Sequence, residues 1–260
     1  MNDSLYIAAT GMQVQQLNVD TIANNLANVN TPGFKKSQVN FQDLVYRELG
    51  QTLSTDGTTT TPGMSEGSGV GMASLAKVFT AGDLKKTDNP LDVAVQGSGF
   101  FEVTMPDGTR AYSRGGSLQV NKDGFLATSE GYALKPGIHI GNNVQQITIN
   151  PDGTIMVTAK AGQAPFEAGR LELSGFSDTS GLVPVGGNLY KSSEKSGDAI
   201  LARPGDGEFG TVAQGYVEAS NVQMVDEMVN LMVAQRAYEM SVKVIQASDE
   251  MLAMSNNLRR

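Results

Sequence analysis

A chain of 260 residues with a formal charge of −8, 30 glycines and no tryptophan is long enough for one large or two small domains rich in turns. With no cysteine and a single histidine, His139, disulfides, thiol catalysis and cysteine-ligated zinc are excluded and a transition-metal centre is disfavoured. No basic cluster exceeds a dipeptide, so nucleic acid is not an expected partner. No apolar run approaches the ~18 residues of a spanning helix, so no direct membrane insertion is expected.

The chain opens on Leu5, Ala8, Met12, Gln15, Val19, Ile22, Leu26 and Val29. Their steps of three and four predict an amphipathic α-helix with a heptad seam and one polar member, Gln15. Gly11 costs it about 1 kcal/mol relative to alanine, so packing must hold it. Asn2 or Asp3 can cap its start. At its end Asn28 and Asn30 tolerate the left-handed conformation, and Thr31-Pro32-Gly33-Phe34 predicts a turn with proline second and glycine third. No lysine or arginine precedes Lys35, and the opening is not an apolar block, so no cleavable signal is expected.

Val39 to Tyr46 is apolar enough to be ordered. From Gly50 to Gly71 the sequence turns Thr-, Ser- and Gly-rich, a composition that buries little by itself. Threonine favours extended structure, so a hairpin laid on another molecule is a natural form for residues 46–71. From about Ala73 strand patterns follow one another. Asp-Gly turns at Asp107-Gly108, Asp123-Gly124 and Asp152-Gly153 predict hairpins, residues 191–210 a loop, and Thr211 to Glu218 a strand returning to a last helix.

That helix is expected over about 221–258, opened by a capping box of Ser220 and Gln223. Its seam is Met224, Met228, Leu231, Gln235, Tyr238, Val242, Ile245, Asp249 and Leu252, with Val225, Val229 and Met232 widening the apolar stripe beyond one neighbour. Glu239 and Lys243 suit an i,i+4 pair. The paired acids Asp226-Glu227 and Asp249-Glu250 fit a solvated face, with Asp249 also on the seam.

The expected class is α+β: an antiparallel β domain, 75–215, inserted between terminal helices (1–34 with 216–260), with 35–74 an extended linker or hairpin. Two ordinary helices in one core would show the same periodicity. Against that, they sit at the chain's extremes, and the β region can bury a core of its own. Catalytic motifs fail on context. Gly63-Met64-Ser65-Glu66-Gly67 has the nucleophile-elbow spacing but lies in a Gly/Thr-rich loop. Gly67 to Gly71 lacks a phosphate-loop lysine. No enzyme and no cofactor are expected.

Asn24-Asn25-Leu26-Ala27-Asn28-Val29-Asn30-Thr31-Pro32-Gly33-Phe34-Lys35 resembles the N-terminal signature of bacterial flagellar rod and hook proteins. Gln214 to Val222, Glu227 to Leu231 and Gln235 to Glu239 resemble their C-terminal helix. Ser4 to Met12, Gly97 to Phe101, Tyr112 to Arg114 and the extra segment at 46–71 resemble the distal-rod branch of that family. The resemblance implies a structural subunit of a rigid hollow shaft that transmits torque across the periplasm to the hook. It implies export through the flagellar type III apparatus and terminal helices that form a coiled-coil-like inner layer of an open helical homopolymer. The implied partners are further copies of the chain, proximal-rod proteins, hook or hook-junction subunits, and the surrounding periplasmic and outer-membrane rings.

The residues expected to carry self-assembly are Leu5, Met12, Val19, Ile22, Asn24, Asn25, Leu26, Asn28, Asn30, Met228, Leu231, Gln235, Tyr238, Val242, Ile245 and Leu252. The asparagines would cap helix ends or bond across subunits. Phe41 and Val45 form a candidate export-gate motif. The alternatives are a hook or proximal-rod subunit, or a secreted β-rich ligand-binding protein oligomerised by its helices.

Overall fold

The computed structural model describes residues 2–43, 46–49, 64–67, 69–141, 144–159 and 164–257. The chain forms two compact units: Met1–Leu26 with Ser37–Ala76 and Met224–Arg260, and Ala27–Lys36 with Lys77–Gln223.

In the first unit, α1 spans Asn2–Ala27, followed by the strands β1 (Ser37–Asp43), β2 (Tyr46–Leu49), β3 (Met64–Gly67) and β4 (Val70–Lys77). β1 pairs with β4, and β2 pairs antiparallel with β3 from Tyr46↔Gly67 to Leu49↔Met64. The two strands border the Thr-rich segment. Residues 50–63, and with them much of the 46–71 expectation, lie outside the described residues. The candidate caps Asn2 and Asp3 have side chains outside them too.

The second unit is β-rich, with one short 3-10 turn at Thr179–Gly181: β5 (Leu84–Lys86), β6 (Val93–Gln96), β7 (Phe100–Thr104), β8 (Arg110–Ser113), β9 (Leu118–Val120), β10 (Leu126–Thr128), β11 (Ala133–Leu134), β12 (Gln146–Ile149), β13 (Thr154–Thr158), β14 (Phe166–Arg170), β15 (Leu173–Gly175), β16 (Val183–Gly186), β17 (Leu189–Lys191), β18 (Ile200–Ala202), β19 (Thr211–Gln214) and β20 (Tyr216–Glu218). The largest sheet runs β16-β17-β8-β7-β11-β10-β9, with β15 joining β7 to β18. The predicted loop over 191–210 therefore contains a strand, β18, whose pairing to β15 supplies what its Gly/Ser-rich flanks conceal. The predicted returning strand is two, broken at Gly215, whose φ of 77° is left-handed.

The Asp-Gly hairpins form as their chemistry dictates. At Met105–Thr109, the Gly108 N–H donates to Met105 and the Met105 N–H to Thr109, each at 2.9 Å, and Gly108 has φ 78°. The Asp107 carboxylate accepts from the Thr109 N–H and hydroxyl at 2.9 and 2.6 Å. Asn150–Thr154 repeats this arrangement through Asp152 and Gly153, and Asn121–Phe125 repeats its backbone through Gly124. The core around Phe101, Val103, Leu126, Ile155, Leu171 and Leu173 is fully buried. The β unit thus buries its own core, as expected. In a smaller cluster, Phe100, Tyr112 and Tyr190 pack edge-on with Phe79 and Phe176. Burial pushes the Tyr190 phenol up to about 12.

The last helix, α2, spans Met224–Asn257. It starts later than predicted because the capping box does not form: the Ser220 hydroxyl accepts from the Val222 N–H, only two residues on. The helices flank an antiparallel β domain in the sequence, the α+β class the sequence predicts.

Candidate functional site

Two contacts fix how α1 meets α2. A methyl group built on Gly11 would lie 3.7 Å from the Ser241 hydroxyl, and the Asn25 amide donates to Glu227 Oε2 at 3.3 Å. The pairs are two heptads apart on each helix, counted in opposite directions, so the helices run antiparallel. The same register places Asn18 opposite Ala234. On α2 the inward face steps by fours and threes through Glu227, Leu231, Ala234, Tyr238, Ser241, Ile245, Ser248 and Leu252. Glu227, Ala234 and Ser248 are buried, so Glu227 does not belong to a solvated face. The expected seam shares Leu231, Tyr238, Ile245 and Leu252 with this face. Its other members, Met224, Met228, Gln235 and Asp249, are exposed and Val242 is half-buried, and Tyr238, at the edge of the inward face, is 38% exposed. On α1, Ala8, Val14, Thr21, Ile22 and Asn25 are buried, while Leu5, Met12, Val19 and Leu26 are half-buried.

Small residues at the crossing points let the backbones approach closely, since the interaxial distance follows the side chains at the contact. The larger apolar side chains of α2 consequently point away. Met224, Met228 and Met232 form one column at i,i+4 spacing, and Val225, Val229 and Val233 form another beside it. All six are 48–72% exposed. Further along, Met240, Val244, Met251 and Met254 are also exposed. Apolar exposure on this scale marks a surface made to be covered. Glu239, expected to pair with Lys243, instead meets Arg236 at 3.1 Å.

The signature after α1 builds two clasps. In the first unit, Asn25 is 1% exposed. Its Oδ1 accepts from the Ser37 N–H at 2.8 Å, and its Nδ2 donates to the Ser37 carbonyl at 2.9 Å and to Glu227. Asn25 thus bonds within its own chain. Asn24 and Asn30 are exposed and Asn28 is half-buried. The Asn28 carbonyl accepts from the Thr31 N–H. Among the described non-glycine residues, left-handed φ occurs at Asp88 and Asn188, not at Asn28 or Asn30.

In the second unit, the predicted Thr-Pro-Gly-Phe turn closes through the Phe34 N–H and the Thr31 carbonyl at 3.2 Å, with Gly33 at φ 70°. A Cβ on Gly33 would sit 2.9 Å from the Gly115 backbone, so glycine is needed twice over. The Gly33 N–H donates to the Glu218 carbonyl at 2.8 Å. Next to it is an ionic triad that sequence reasoning missed. Lys35 Nζ reaches Glu218 Oε1 at 2.6 Å, and Arg114 Nε reaches Glu218 Oε2 at 2.8 Å. The three side chains are 0–4% exposed.

Every charge in the triad is further satisfied. Lys35 donates to the Thr80 carbonyl, Arg114 to the Gly97 carbonyl, and the Gly82 N–H to Glu218. Burial pulls the Lys35 amine below its ordinary value. Burial alone would push Glu218 up, but Arg114, Lys35 and the Gly82 N–H together hold it below the ordinary carboxylate range. Asn221 ties two neighbouring segments: its Oδ1 accepts from the Lys36 N–H, and its Nδ2 donates to the Val78 and Thr80 carbonyls.

Of the export candidates, Phe41 is exposed on β1, and Val45 lies outside the described residues. Ser65 sits in β3 opposite Glu48, not on the strained strand-to-helix turn that an elbow requires. Among the described residues no cluster of acids, histidine or cysteine could hold a metal, and no helix is long and apolar enough to cross a membrane.

Residues 5–35 match the family model for the Flagella basal body rod protein, 94–157 that for the Flagellar hook protein FlgE/F/G D1 domain, and 213–258 that for the Flagellar basal body rod FlgEFG protein C-terminal. The flagellar basal-body rod protein FlgG of Borreliella burgdorferi is 42% identical over the full length of both chains. The chain belongs to the FlgG family of flagellar basal-body rod proteins. The FlgG of Buchnera aphidicola from Schizaphis graminum is 44% identical over 99% of this chain and all of its own. That of Caulobacter vibrioides is 42% identical over 98% and 99%. FlgG proteins are structural components of the rod, not enzymes, and the family implies self-assembly with other axial components of the flagellum. The matched ranges include Asn25 and Glu227 of the first clasp, Lys35, Arg114 and Glu218 of the triad, part of the β unit, and α2 with its exposed columns.

Proposed function

We propose that this chain is a distal-rod subunit that polymerises into a rigid hollow shaft carrying torque across the periplasm to the hook. The observation that carries the reading is the outward face of α2, whose methionine and valine columns are exposed while the opposite face is committed to α1. A second copy supplies the missing cover, and a head-to-tail contact that does not close gives an open helix of subunits. The terminal residues 1–34 and 216–260 act as the polymerisation domain, 35–74 as a stiffening hairpin, and 75–215 as the outer layer.

Leu5, Met12, Val19, Ile22 and the α2 seam residues support the inner layer, and the asparagine signature holds its turn. Rod, hook-junction and ring proteins are the neighbours along and around the shaft. Delivery runs through the type III apparatus, with Phe41 as a candidate docking residue. Ordering the helical ends on assembly costs about 2–5 kcal/mol or more per subunit, which repeated apolar contacts exceed.

The test is polymerisation of purified chain carrying Val225→Lys and Val229→Lys. These exposed positions leave the α1–α2 contact untouched, so the variant retains its monomeric circular dichroism and fails to form tubes. Tubes at wild-type yield would sink the proposal that this face is the assembly surface.

A further inference from the structure

We propose that the groove between α1 and β4 takes the Arg236–Met240–Val244 stretch of α2 from a second copy, with that copy's Arg236 set against Asp20. This names one contact of the rod-subunit reading above and rests on it.

The groove lies within the first unit and has a volume of about 530 Å³. The chain enters β4 close against α1: a Cβ on Gly69 would stand 2.8 Å from the Thr10 hydroxyl. Val14, Leu17, Val70 and Met72 give the groove an apolar floor, and Asp20, exposed at one end, is the charged residue of its lining. Along α1, Thr10, Gln13, Leu17 and Asp20 step by three and four. They lie roughly a third of a turn from Gly11 and Asn25, which face α2. The chain's own α2 therefore leaves the groove open.

On α2, Val229, Val233, Arg236, Met240, Val244 and Ala247 form one stripe at steps of four and three, with Arg236 as its charge. Met240 and Val244 are 64 and 48% exposed. Arg236 meets Glu239 at 3.1 Å, with side chains 76 and 57% exposed, and a pair so exposed holds it weakly.

In an open helix built along one axis every copy points the same way. So α2 of one copy runs antiparallel to α1 of another, as it does within the chain. In that direction, Arg236 placed on Asp20 carries Met240 to Leu17 and Val244 to Gln13. The two runs match in length, about 12 Å on α2 and about 11 Å on α1. Seating Met224, Met228 and Met232 there instead would bring Asp226 towards Asp20, like charge against like. Met251 and Met254 stand beside Asp249 and Glu250. Charge complementarity thus selects one of the exposed apolar stretches of α2, and Met72 gains its cover in the same contact. Both surfaces belong to ends that order on assembly, so the contact is a property of polymer, not of free subunit.

The experiment follows polymerisation of purified full-length D20R and R236E chains by sedimentation and electron microscopy. D20R sets cation against cation and R236E sets carboxylate against carboxylate. Each alone needs at least about tenfold more protein to form tubes. An equal mixture returns to the natural threshold, because each variant supplies the charge that the other lacks. Damage confined to one chain would not be rescued by mixing. The natural chain has no cysteine, so polymer of L17C/M240C gives a ladder of cross-linked multimers on oxidation, the opposed positions lying within disulfide reach.

Either charge variant polymerising at the natural threshold, or a mixture no better than its parts, would overturn the proposal. So would L17C/M240C tubes that yield no multimers. Natural chain that forms no tubes at all would overturn the rod-subunit reading itself and this inference with it.

Discussion

Replacing Glu218 by glutamine separates what its charge does from what its shape does. The variant keeps the volume and an acceptor for the Gly82 N–H but leaves Lys35 and Arg114 buried as cations with only backbone carbonyls for partners. Removing one member of a buried ion pair typically costs about 3–5 kcal/mol. For a unit of this size that lowers the melting temperature by roughly 6–20 °C. Lys35→Met should be milder. Glu218 would retain Arg114 at 2.8 Å and the Gly82 N–H, and the burial cost of the amine would vanish with it, leaving a loss of about 1–2 kcal/mol.

The pH dependence follows from the depressed Glu218 carboxyl. Its contribution is present above the ordinary carboxylate value and is lost as pH falls through the lower folded value. The gap between the natural chain and Glu218→Gln should therefore close in acid. Near-ultraviolet circular dichroism reads this unit through Tyr112 and Tyr190, both buried, in a chain without tryptophan. Equal losses for the two variants, or a gap that does not narrow in acid, would refute the assignment of the triad's stability to the carboxylate.

Gly33→Ala forces a left-handed residue against the Gly115 backbone and should destabilise the β unit by about 1–3 kcal/mol, read by thermal unfolding; an unchanged midpoint would show that the turn relaxes freely. Asn25→Ala strips the Ser37 N–H and buried Glu227 of their partner and should cost about 1–3 kcal/mol, seen as reduced helical signal and a lower polymer yield. Ser241→Leu places a large side chain where α1 passes Gly11 and should part the helices, lowering helix content; an unaffected variant would contradict the antiparallel register.

Local chemistry was legible in the sequence wherever a few neighbouring residues decide the outcome. The Asp-Gly hairpins and the Thr-Pro-Gly-Phe turn follow from φ preferences and short-range hydrogen bonds, and both helices follow from periodicity. Which stripe of α2 turns inward was not legible. Periodicity groups the apolar positions into a stripe but does not say which stripe α1 covers, and the face turned to α1 carries Glu227, Ala234, Ser241 and Ser248, types that a hydrophobic count passes over. In a subunit built to be covered by others, the strongest stripe is left outside. The Lys35–Glu218–Arg114 triad was hidden for a different reason: its members are remote in the chain, and charged residues are presumed exposed until a structure buries them.

In the proposed function the chain builds an open helical shaft. Electron cryo-microscopy of polymer grown from the purified full chain, with circular dichroism during growth, tests it most directly. A shaft subunit gives straight hollow tubes of open helical symmetry, helix content rising as they form, and the Met224–Val233 face buried between subunits. A compact monomer, or a closed trimer that persists even when seeded with rod fragments, would contradict it.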